Sequence, residues 1–124
     1  MNAPAEAPGL GIDLIEIERV ERALERRPRL AERLFTEREL AYARSRRRPG
    51  SHLAARFAAK EAAIKALGGR GVAPRDVEVV GSEPPRLRLH GRAAELADAA
   101  GVELAVSLTH SRELAAAQVV ARRT

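Results

Sequence analysis

The stretch RFAAKEAAIKAL, residues 56–67, decides how the rest of this sequence is interpreted. It contains both lysines of the chain, Lys60 and Lys65, although lysine and arginine together number 22. All the other basic residues are arginines. Lysine is a compact charge whose pKa shifts readily, whereas arginine is a planar cation that stays protonated. A segment that keeps two lysines around one glutamate therefore indicates a site that needs a point charge on phosphate or a proton acceptor.

The apolar residues of this segment predict a helix with one buried face. At about 100° per residue, a stripe of four apolar side chains lies on one side of the helical wheel: Leu53, Phe57, Ile64 and Leu67. Glu61 and Lys65, four residues apart, lie at the edge of this stripe, where they form either a surface ion pair or part of a site. Lys60 falls within the apolar arc, and we expect its stem to be buried while its ammonium reaches the surface.

A second acidic residue, Asp13, interrupts the apolar segment Gly-Ile-Asp-Leu-Ile near the N-terminus. A carboxylate within an apolar strand is unfavourable unless it is exposed or has a partner. In one interpretation Asp13 is the N-cap of the helix that follows. In the other it joins Glu61 as an oxygen ligand of Mg²⁺, an ion that binds one or two carboxylates together with substrate phosphates. The residues alone leave both interpretations open.

The order of the patterns predicts an α+β fold. Alternating apolar residues predict strands over residues 10–17, 76–80, 86–90, 102–109 and 113–121, with helices between the first two and over residues 92–100. Thr36 and Glu39 fit a capping box. Ser51 is the predicted N-cap of the helix that ends at Gly68 and Gly69. We therefore expect a single domain in which a small, mostly antiparallel sheet packs against helices.

Composition limits the class of protein. At 124 residues the chain suits one domain, and with three aromatic residues its core must consist of small aliphatic side chains, so an oligomer interface would be stabilising. The absence of cysteine excludes disulfides, thiolate zinc sites and cysteine nucleophiles. No apolar run is long enough to span a bilayer, and residues 1–8 lack the features of a signal peptide. We expect these eight residues to be a flexible tail and the protein to be cytoplasmic.

The formal net charge of +5 favours a polyanionic partner: a nucleic acid, an acidic protein or a phosphorylated small molecule. The three histidines, His52, His90 and His110, lack the spacing of metal ligands, and each alone is best interpreted as an ordinary surface residue. A small basic nucleic-acid-binding module is one candidate, but it gives no role to Asp13 or to the Lys-Glu-x-x-x-Lys arrangement.

Three stretches together resemble holo-[acyl-carrier-protein] synthase, the small single-domain class of 4′-phosphopantetheinyl transferases. They are GIDLIEIERV (residues 11–20), RFAAKEAAIKAL (residues 56–67) and SLTHSRELAAAQVV (residues 107–120), and FTERELAYA (residues 35–43) is similar as well. The family signature pairs Gly-x-Asp with Phe-x-x-Lys-Glu-x-x-x-Lys, and both halves are present. The resemblance covers residues 9–124.

The resemblance implies transfer of 4′-phosphopantetheine from coenzyme A to a serine of an acyl carrier protein, with release of adenosine 3′,5′-bisphosphate, in fatty acid or polyketide biosynthesis. It implies Mg²⁺, or Mn²⁺ in its place, on Asp13 and Glu61, with Glu61 and Lys65 as catalytic residues. The residues that it places near coenzyme A are Arg46, Arg56, Lys60, Lys65, Gly68, Thr109 and His110.

The resemblance also implies an acidic carrier protein that meets Arg19, Arg26 and Arg29, and a homotrimer with active sites at the subunit junctions. It implies no nucleic-acid or membrane partner. One stretch departs from the family, because the glycine common in the turn between the middle strands is absent from Ser82-Glu83-Pro84-Pro85-Arg86. The alternatives are the nucleic-acid module and a structural subunit that has lost activity, which the retained acids and lysines disfavour.

Overall fold

The computed structural model describes residues 9–69 and 71–124, and the predicted tail of residues 1–8 lies outside them. The elements follow in the order β1 (Leu10–Glu16), α1 (Ile17–Arg26), α2 (Leu30–Leu34), α3 (Glu37–Arg44), α4 (Pro49–Ala66), a 3₁₀ turn (Pro74–Asp76), β2 (Val77–Val80), β3 (Arg86–Leu89), α5 (Gly91–Ala100), β4 (Val102–His110) and β5 (Leu114–Arg123). The predicted α+β class is confirmed.

The strands divide between two antiparallel sheets. One has the order β1-β5-β4, and the other is the hairpin of β2 and β3. In the larger sheet Asp13 lies opposite Ala117 on β5, which in turn lies opposite Leu108 on β4. One face of this sheet packs on α4, and β1 leads directly into α1. This arrangement places Asp13 beside the middle of the longest helix.

Helix α4 is enclosed on most of its surface, so the prediction of one buried apolar face was wrong. Ten of its residues are buried: Ser51, Leu53, Ala54, Ala55, Arg56, Ala58, Ala59, Lys60, Ala62 and Ala63. The larger members of the predicted stripe, Phe57 and Ile64, are only half-buried. Alanine explains the difference, because its short side chain lets neighbouring elements approach from several directions.

Two glycines bring β1 onto the backbone of α4. A Cβ atom at Gly11 would overlap the carbonyl oxygen of Ala62, and one at Gly9 would overlap that of Ala66. Any side chain at either position would push the strand away from the helix. The Gly-x-Asp spacing is therefore a packing requirement, since it lets Asp13 follow the contact at Gly11 by two residues, on the same face of the strand.

The helix ends differ in how well the sequence predicts them. The capping box is confirmed, since Thr36 N donates to Glu39 Oε1 at 2.9 Å and Glu39 N donates to Thr36 Oγ1 at 3.3 Å. The predicted N-cap at Ser51 was wrong, because the N-cap of α4 is Arg48 and the helix begins at Pro49, a residue suited to the first helical position. The Ser51 hydroxyl instead donates to the Arg48 carbonyl at 2.8 Å.

The outer face of the three-stranded sheet carries an apolar patch on β1 and β5. Five large apolar residues on β1 and β5 are 40% to 65% exposed: Leu10, Ile12, Leu14, Leu114 and Val120. A patch of this kind marks an interaction surface. None of the helices among the described residues has the length and apolar character that crossing a membrane requires.

Candidate active site

Two carboxylates, Asp13 from β1 and Glu61 from α4, face one cavity of about 480 Å³. The wall of this cavity is mostly apolar and comes from β1, α1, α2, α4 and the start of β5, with Ile15, Val20, Leu24, Leu34 and Phe57 among its residues. Arg19 lines the same cavity. The side chain of Asp13 is 20% exposed, so it is reachable from solvent but partly shielded. The predicted convergence of Asp13 and Glu61 is therefore present in the fold.

Lys65 lies beside the acidic pair. Its Nζ donates to the carbonyl oxygen of Ile12 at 2.9 Å and to Oδ1 of Asp13 at 3.4 Å. The side chain is 56% exposed. This ammonium is therefore held near the carboxylates while remaining accessible to a ligand.

Burial and the nearby Asp13 carboxylate raise the pKa of Glu61 above its ordinary value, and the positive charge of Lys65 partly opposes this rise. Both causes act on the ionised form, since burial removes its hydration and a second negative charge repels it. The pair therefore carries negative charge that Lys65 alone does not neutralise. A bound cation would remove this repulsion.

The two carboxylates fit a hard divalent cation such as Mg²⁺. Carboxylate oxygens are the ligands that Mg²⁺ prefers, and it commonly keeps several waters and binds substrate phosphates. The described residues contain no group of three or more histidine, cysteine, aspartate or glutamate side chains placed to hold a metal ion. The donor set therefore suits a cation that takes two protein ligands, and not one that needs a closed cage.

A second group of side chains joins the end of α3, the first half of α4 and the end of β4. The Arg56 guanidinium lies 4.1 Å from the centre of the Tyr42 ring, and that of Arg46 lies 4.9 Å from it. The His52 ring is 5.6 Å from Tyr42 and 5.1 Å from the His110 ring, both edge-on. We call these five residues the basic cluster.

Positive charge dominates the basic cluster. Burial lowers the pKa of His52, and His110, Arg56 and Arg46 lower it further by repelling the protonated form. The hydrogen bond from Arg46 is the largest cause of the lowered pKa of Tyr42. Arg56 is buried, with 3% of its surface exposed, and within the described part of the chain its Nε has no hydrogen-bond partner. An anion would satisfy both the charge and this unpartnered donor.

Lys60 does not reach the surface, which corrects the expectation of a snorkelling ammonium. The residue is 0% exposed, and its Nζ donates to Glu39 Oε1 at 2.8 Å. Two backbone carbonyls take its other donors, Val77 O at 2.5 Å and Pro74 O at 3.1 Å. The contact with coenzyme A that the resemblance implied for Lys60 is incompatible with this arrangement, because an ammonium has only three N–H donors.

The remaining predicted residues are exposed. Gly68 follows α4 with a φ of 83°, and no atom of the described residues lies within 4 Å of the position that a Cβ would take there. Thr109 lies on β4 next to His110. Arg19 and Arg26 are exposed on α1, and Arg29 precedes α2.

Tyr42 and His52 are the residues of the basic cluster that the sequence did not indicate. Each stands four residues before an arginine of the cluster, at the spacing that brings side chains together on a helix. That spacing was a usable signal for Tyr42 with Arg46 and for His52 with Arg56. The contact between the two pairs depends on the packing of α3 against α4, which the spacing does not reveal.

The chain matches a protein-family model over residues 9–119, and the family is described as the 4′-phosphopantetheinyl transferase superfamily. The chain belongs to this family. It is 53% identical over 112 residues to the holo-[acyl-carrier-protein] synthase of Moorella thermoacetica, covering 86% of this chain and 88% of that one. It is 50% identical over 117 residues to the synthase of the same name from Streptomyces avermitilis, covering 91% and 95%. The transferase thus belongs with the holo-[acyl-carrier-protein] synthases.

Solved structures agree with this assignment of the transferase. The holo-(acyl-carrier-protein) synthase of Bacillus anthracis, solved in complex with coenzyme A (3′,5′-ADP), superposes with a TM-score of 0.76 at 35% identity, covering 94% of this chain and 96% of that one. The Helicobacter pylori synthase, in complex with coenzyme A, gives a TM-score of 0.77 at 27% identity, covering 91% and 99%. The alternative of a nucleic-acid-binding module explains neither this family membership nor the acidic pair.

Proposed function

We propose that the transferase moves the 4′-phosphopantetheine group of coenzyme A onto a serine of an acyl carrier protein, with Asp13, Glu61 and Lys65 at the reacting centre. The observation that carries this proposal is the acidic pair in its cavity with one accessible ammonium beside it. In the reaction a bond forms between the serine oxygen and the β-phosphorus of coenzyme A. The pyrophosphate bond breaks, the serine proton is lost, and adenosine 3′,5′-bisphosphate leaves with the bridging oxygen.

Asp13 and Glu61 would hold Mg²⁺, for which Mn²⁺ is a possible substitute. Support comes from the raised pKa of Glu61, which burial and the neighbouring Asp13 carboxylate both cause, because a shared cation would stabilise the two ionised carboxylates. When bound, the cation supplies Lewis-acid stabilisation of the charge on the pyrophosphate. Lys65 adds a point charge to the same phosphates, and its exposure leaves it free to do so. Phosphoryl transfer depends mainly on such positioning and charge stabilisation, so the absence of cysteine is no obstacle.

The basic cluster is the proposed site for a phosphate of coenzyme A. Arg46, Arg56 and His110 were expected near coenzyme A, and their convergence with the unpartnered Nε of Arg56 supports that role. Thr109 and Gly68 remain proposed contacts on grounds of resemblance and exposure. Lys60 is withdrawn from this set.

The arginines of α1 are the proposed contact with an acidic carrier protein. Arg19 lines the cavity that holds Asp13 and Glu61, so a carrier bound at Arg19 would present its serine beside the reacting centre. Arg26 and Arg29 extend the positive charge away from the cavity. Rim charges of this kind act mainly on association rate and salt dependence.

We further propose that the protein is a homotrimer whose subunits share active sites. The exposed apolar patch on the outer face of the sheet, which includes Ile12, supports subunit contact. Arg56 and Glu61 lie five residues apart on α4 and so point about 140° apart around its axis. The basic cluster and the acidic pair of one subunit therefore face different sides of the helix, which suits a site completed by a neighbour. Light scattering of the intact protein would measure the subunit number.

A direct assay tests the activity. The protein is mixed with coenzyme A, Mg²⁺ and an apo acyl carrier protein, and the carrier is examined by mass spectrometry. We expect the mass of one phosphopantetheine group to be added to the carrier, and the addition to require the divalent cation. Unmodified carrier from both fatty acid and polyketide systems would refute the proposal. We place this reaction in the cytoplasm.

A further inference from the structure

A buried polar network on the far side of α4 contains none of the residues placed at the reacting centre. At its centre the Nζ of Lys60 lies 2.8 Å from Oε1 of Glu39, and both side chains are 0% exposed. The carboxylate of Glu39 also accepts from Thr36 N at 2.9 Å and from Val79 N at 2.8 Å. The pair therefore connects α4 to the start of α3 and to β2.

Every hydrogen-bonding group at the centre of this network is used. Lys60 donates to Glu39, Val77 and Pro74, which accounts for all three N–H groups of an ammonium. Burial lowers the pKa of Lys60, and the carboxylate of Glu39 opposes this effect. Burying two charges costs free energy that an apolar pair would avoid, and fixing a single arrangement is the best-attested reason for keeping such a pair.

The rotation of α4 about its own axis is the arrangement that needs to be fixed. Six of its buried residues are alanines, whose single methyl groups form a smooth surface that resists rotation weakly: Ala54, Ala55, Ala58, Ala59, Ala62 and Ala63. A side-chain end about 5 to 6 Å from a helix axis moves by about 1 Å when the helix rotates by about 10°. Glu61 is the next residue after Lys60. Any rotation of α4 that the Lys60–Glu39 pair permits therefore displaces the Glu61 carboxylate relative to Asp13.

We propose that the Lys60–Glu39 ion pair is a positioning device that sets the rotation of α4 and thereby places Glu61 opposite Asp13 for the transfer reaction. This inference rests on the proposed function of Glu61. It assigns a role to Glu39, which is 1% exposed and cannot touch a substrate. It also gives the two lysines of the signature different roles, since Lys60 affects the reaction only through the orientation of α4.

The test compares intact protein carrying Glu39→Gln, Lys60→Met, or both changes. Glu39→Gln keeps the size and an acceptor oxygen while removing the charge, so it is the variant expected to fold. Gly101→Ala is the matched control, because it strains the left-handed C-cap of α5 and so lowers stability without touching α4. For each protein kcat, KM for coenzyme A and Tm are measured.

We expect Glu39→Gln to lower kcat by about 10-fold and Lys60→Met by about 100-fold, with KM for coenzyme A changed by less than about 2-fold. The double variant should be no slower than Lys60→Met, because both changes remove one interaction. Gly101→Ala should lower Tm and leave kcat unchanged.

Three outcomes would overturn the proposal. A raised KM for coenzyme A in Lys60→Met, with Glu39→Gln normal, would mean that Lys60 contacts the substrate. Unchanged kcat in all folded variants would mean that the pair acts on stability alone. Multiplicative losses in the double variant would mean that the two residues act separately.

Metal binding can be measured without turnover, so it tests the positioning role separately from the proposed transferase activity. Mn²⁺ binding, followed by electron paramagnetic resonance, should weaken several-fold in Glu39→Gln because Glu61 is displaced. Equal Mn²⁺ affinity in the wild type and Glu39→Gln would refute the positioning role. A wild type without transferase activity would instead refute the proposed function.

Discussion

The two lysines of α4 occupy contrasting surroundings although they are five residues apart. Lys60 is completely enclosed, and its ammonium is paired with Glu39 and two carbonyl groups. Lys65 is 56% exposed, and its ammonium donates to the Ile12 carbonyl and to the Asp13 carboxylate. The comparison shows that residue type and spacing in a motif do not determine a role. The role of each lysine depends on whether its ammonium is accessible to a ligand and has free N–H donors.

The largest expected effect lies on the exposed side of α4, at the acidic pair. Asp13→Ala or Glu61→Ala should lower kcat by about 1000-fold or more, because charge stabilisation at the reacting centre is lost. Circular dichroism should show an unchanged fold. Asp98→Ala, an exposed carboxylate on α5, is the matched control and should keep full activity. Substantial Mg²⁺-dependent activity in either alanine variant would contradict the ligand assignment.

The next effect concerns Lys65 itself. Lys65→Met should lower kcat by about 100-fold, since one cationic donor to the phosphates is removed. Lys65→Arg should recover only part of the activity, because a planar fork replaces a compact charge. The Tm of both variants should stay near that of the wild type, in contrast to Lys60→Met, whose loss leaves Glu39 buried and unpaired. A large loss of stability in Lys65→Met would mean that Lys65, like Lys60, has a structural role.

A smaller effect is expected at Gly11, where the close packing of β1 on α4 would position Asp13. Gly11→Ala forces a Cβ against the Ala62 carbonyl and should cost about 1 to 3 kcal/mol of stability, as overpacking commonly does. Because Asp13 moves with the strand, kcat should also fall by about 10-fold. Gly101→Ala, at a position with open space around it, should lower stability without this loss of kcat. Normal kcat in Gly11→Ala would show that the close strand–helix contact does not position Asp13.

The smallest effect is expected on α1. Removing charge at Arg19 and Arg26 together should raise KM for the carrier protein by about 3- to 10-fold at low salt and leave kcat nearly unchanged. The difference should shrink as ionic strength rises, because exposed charges are screened. Arg86→Ala with Arg88→Ala removes the same charge from β3 and serves as control. An equal effect of both pairs would indicate net charge, and not a docking face.

Much of this organisation could be predicted from local patterns. The strands, the capping box at Thr36 and the convergence of Asp13 with Glu61 follow from alternation, spacing and the family motifs. The surroundings of Lys60 could not be predicted, because Glu39 is 21 residues away and meets it only through the packing of α3 on α4. The buried surface of α4 was missed for a related reason, since alanine gives little periodic signal.

We propose that Asp13 and Glu61 form an under-neutralised carboxylate pair that a divalent cation completes. Thermal unfolding of the wild type and Glu61→Gln near pH 7, with and without Mg²⁺, tests it most directly. The raised pKa of Glu61 means that its ionised form is disfavoured in the folded state, so this stability deficit is absent well below the ordinary glutamate pKa and complete above the raised value.

Without Mg²⁺ we therefore expect Glu61→Gln to have a higher Tm than the wild type. We expect this advantage to vanish in acid. Mg²⁺ should raise the Tm of the wild type and leave that of Glu61→Gln nearly unchanged. Equal stabilisation of both proteins by Mg²⁺, or a lower Tm for Glu61→Gln without it, would contradict a cation site shared by Asp13 and Glu61.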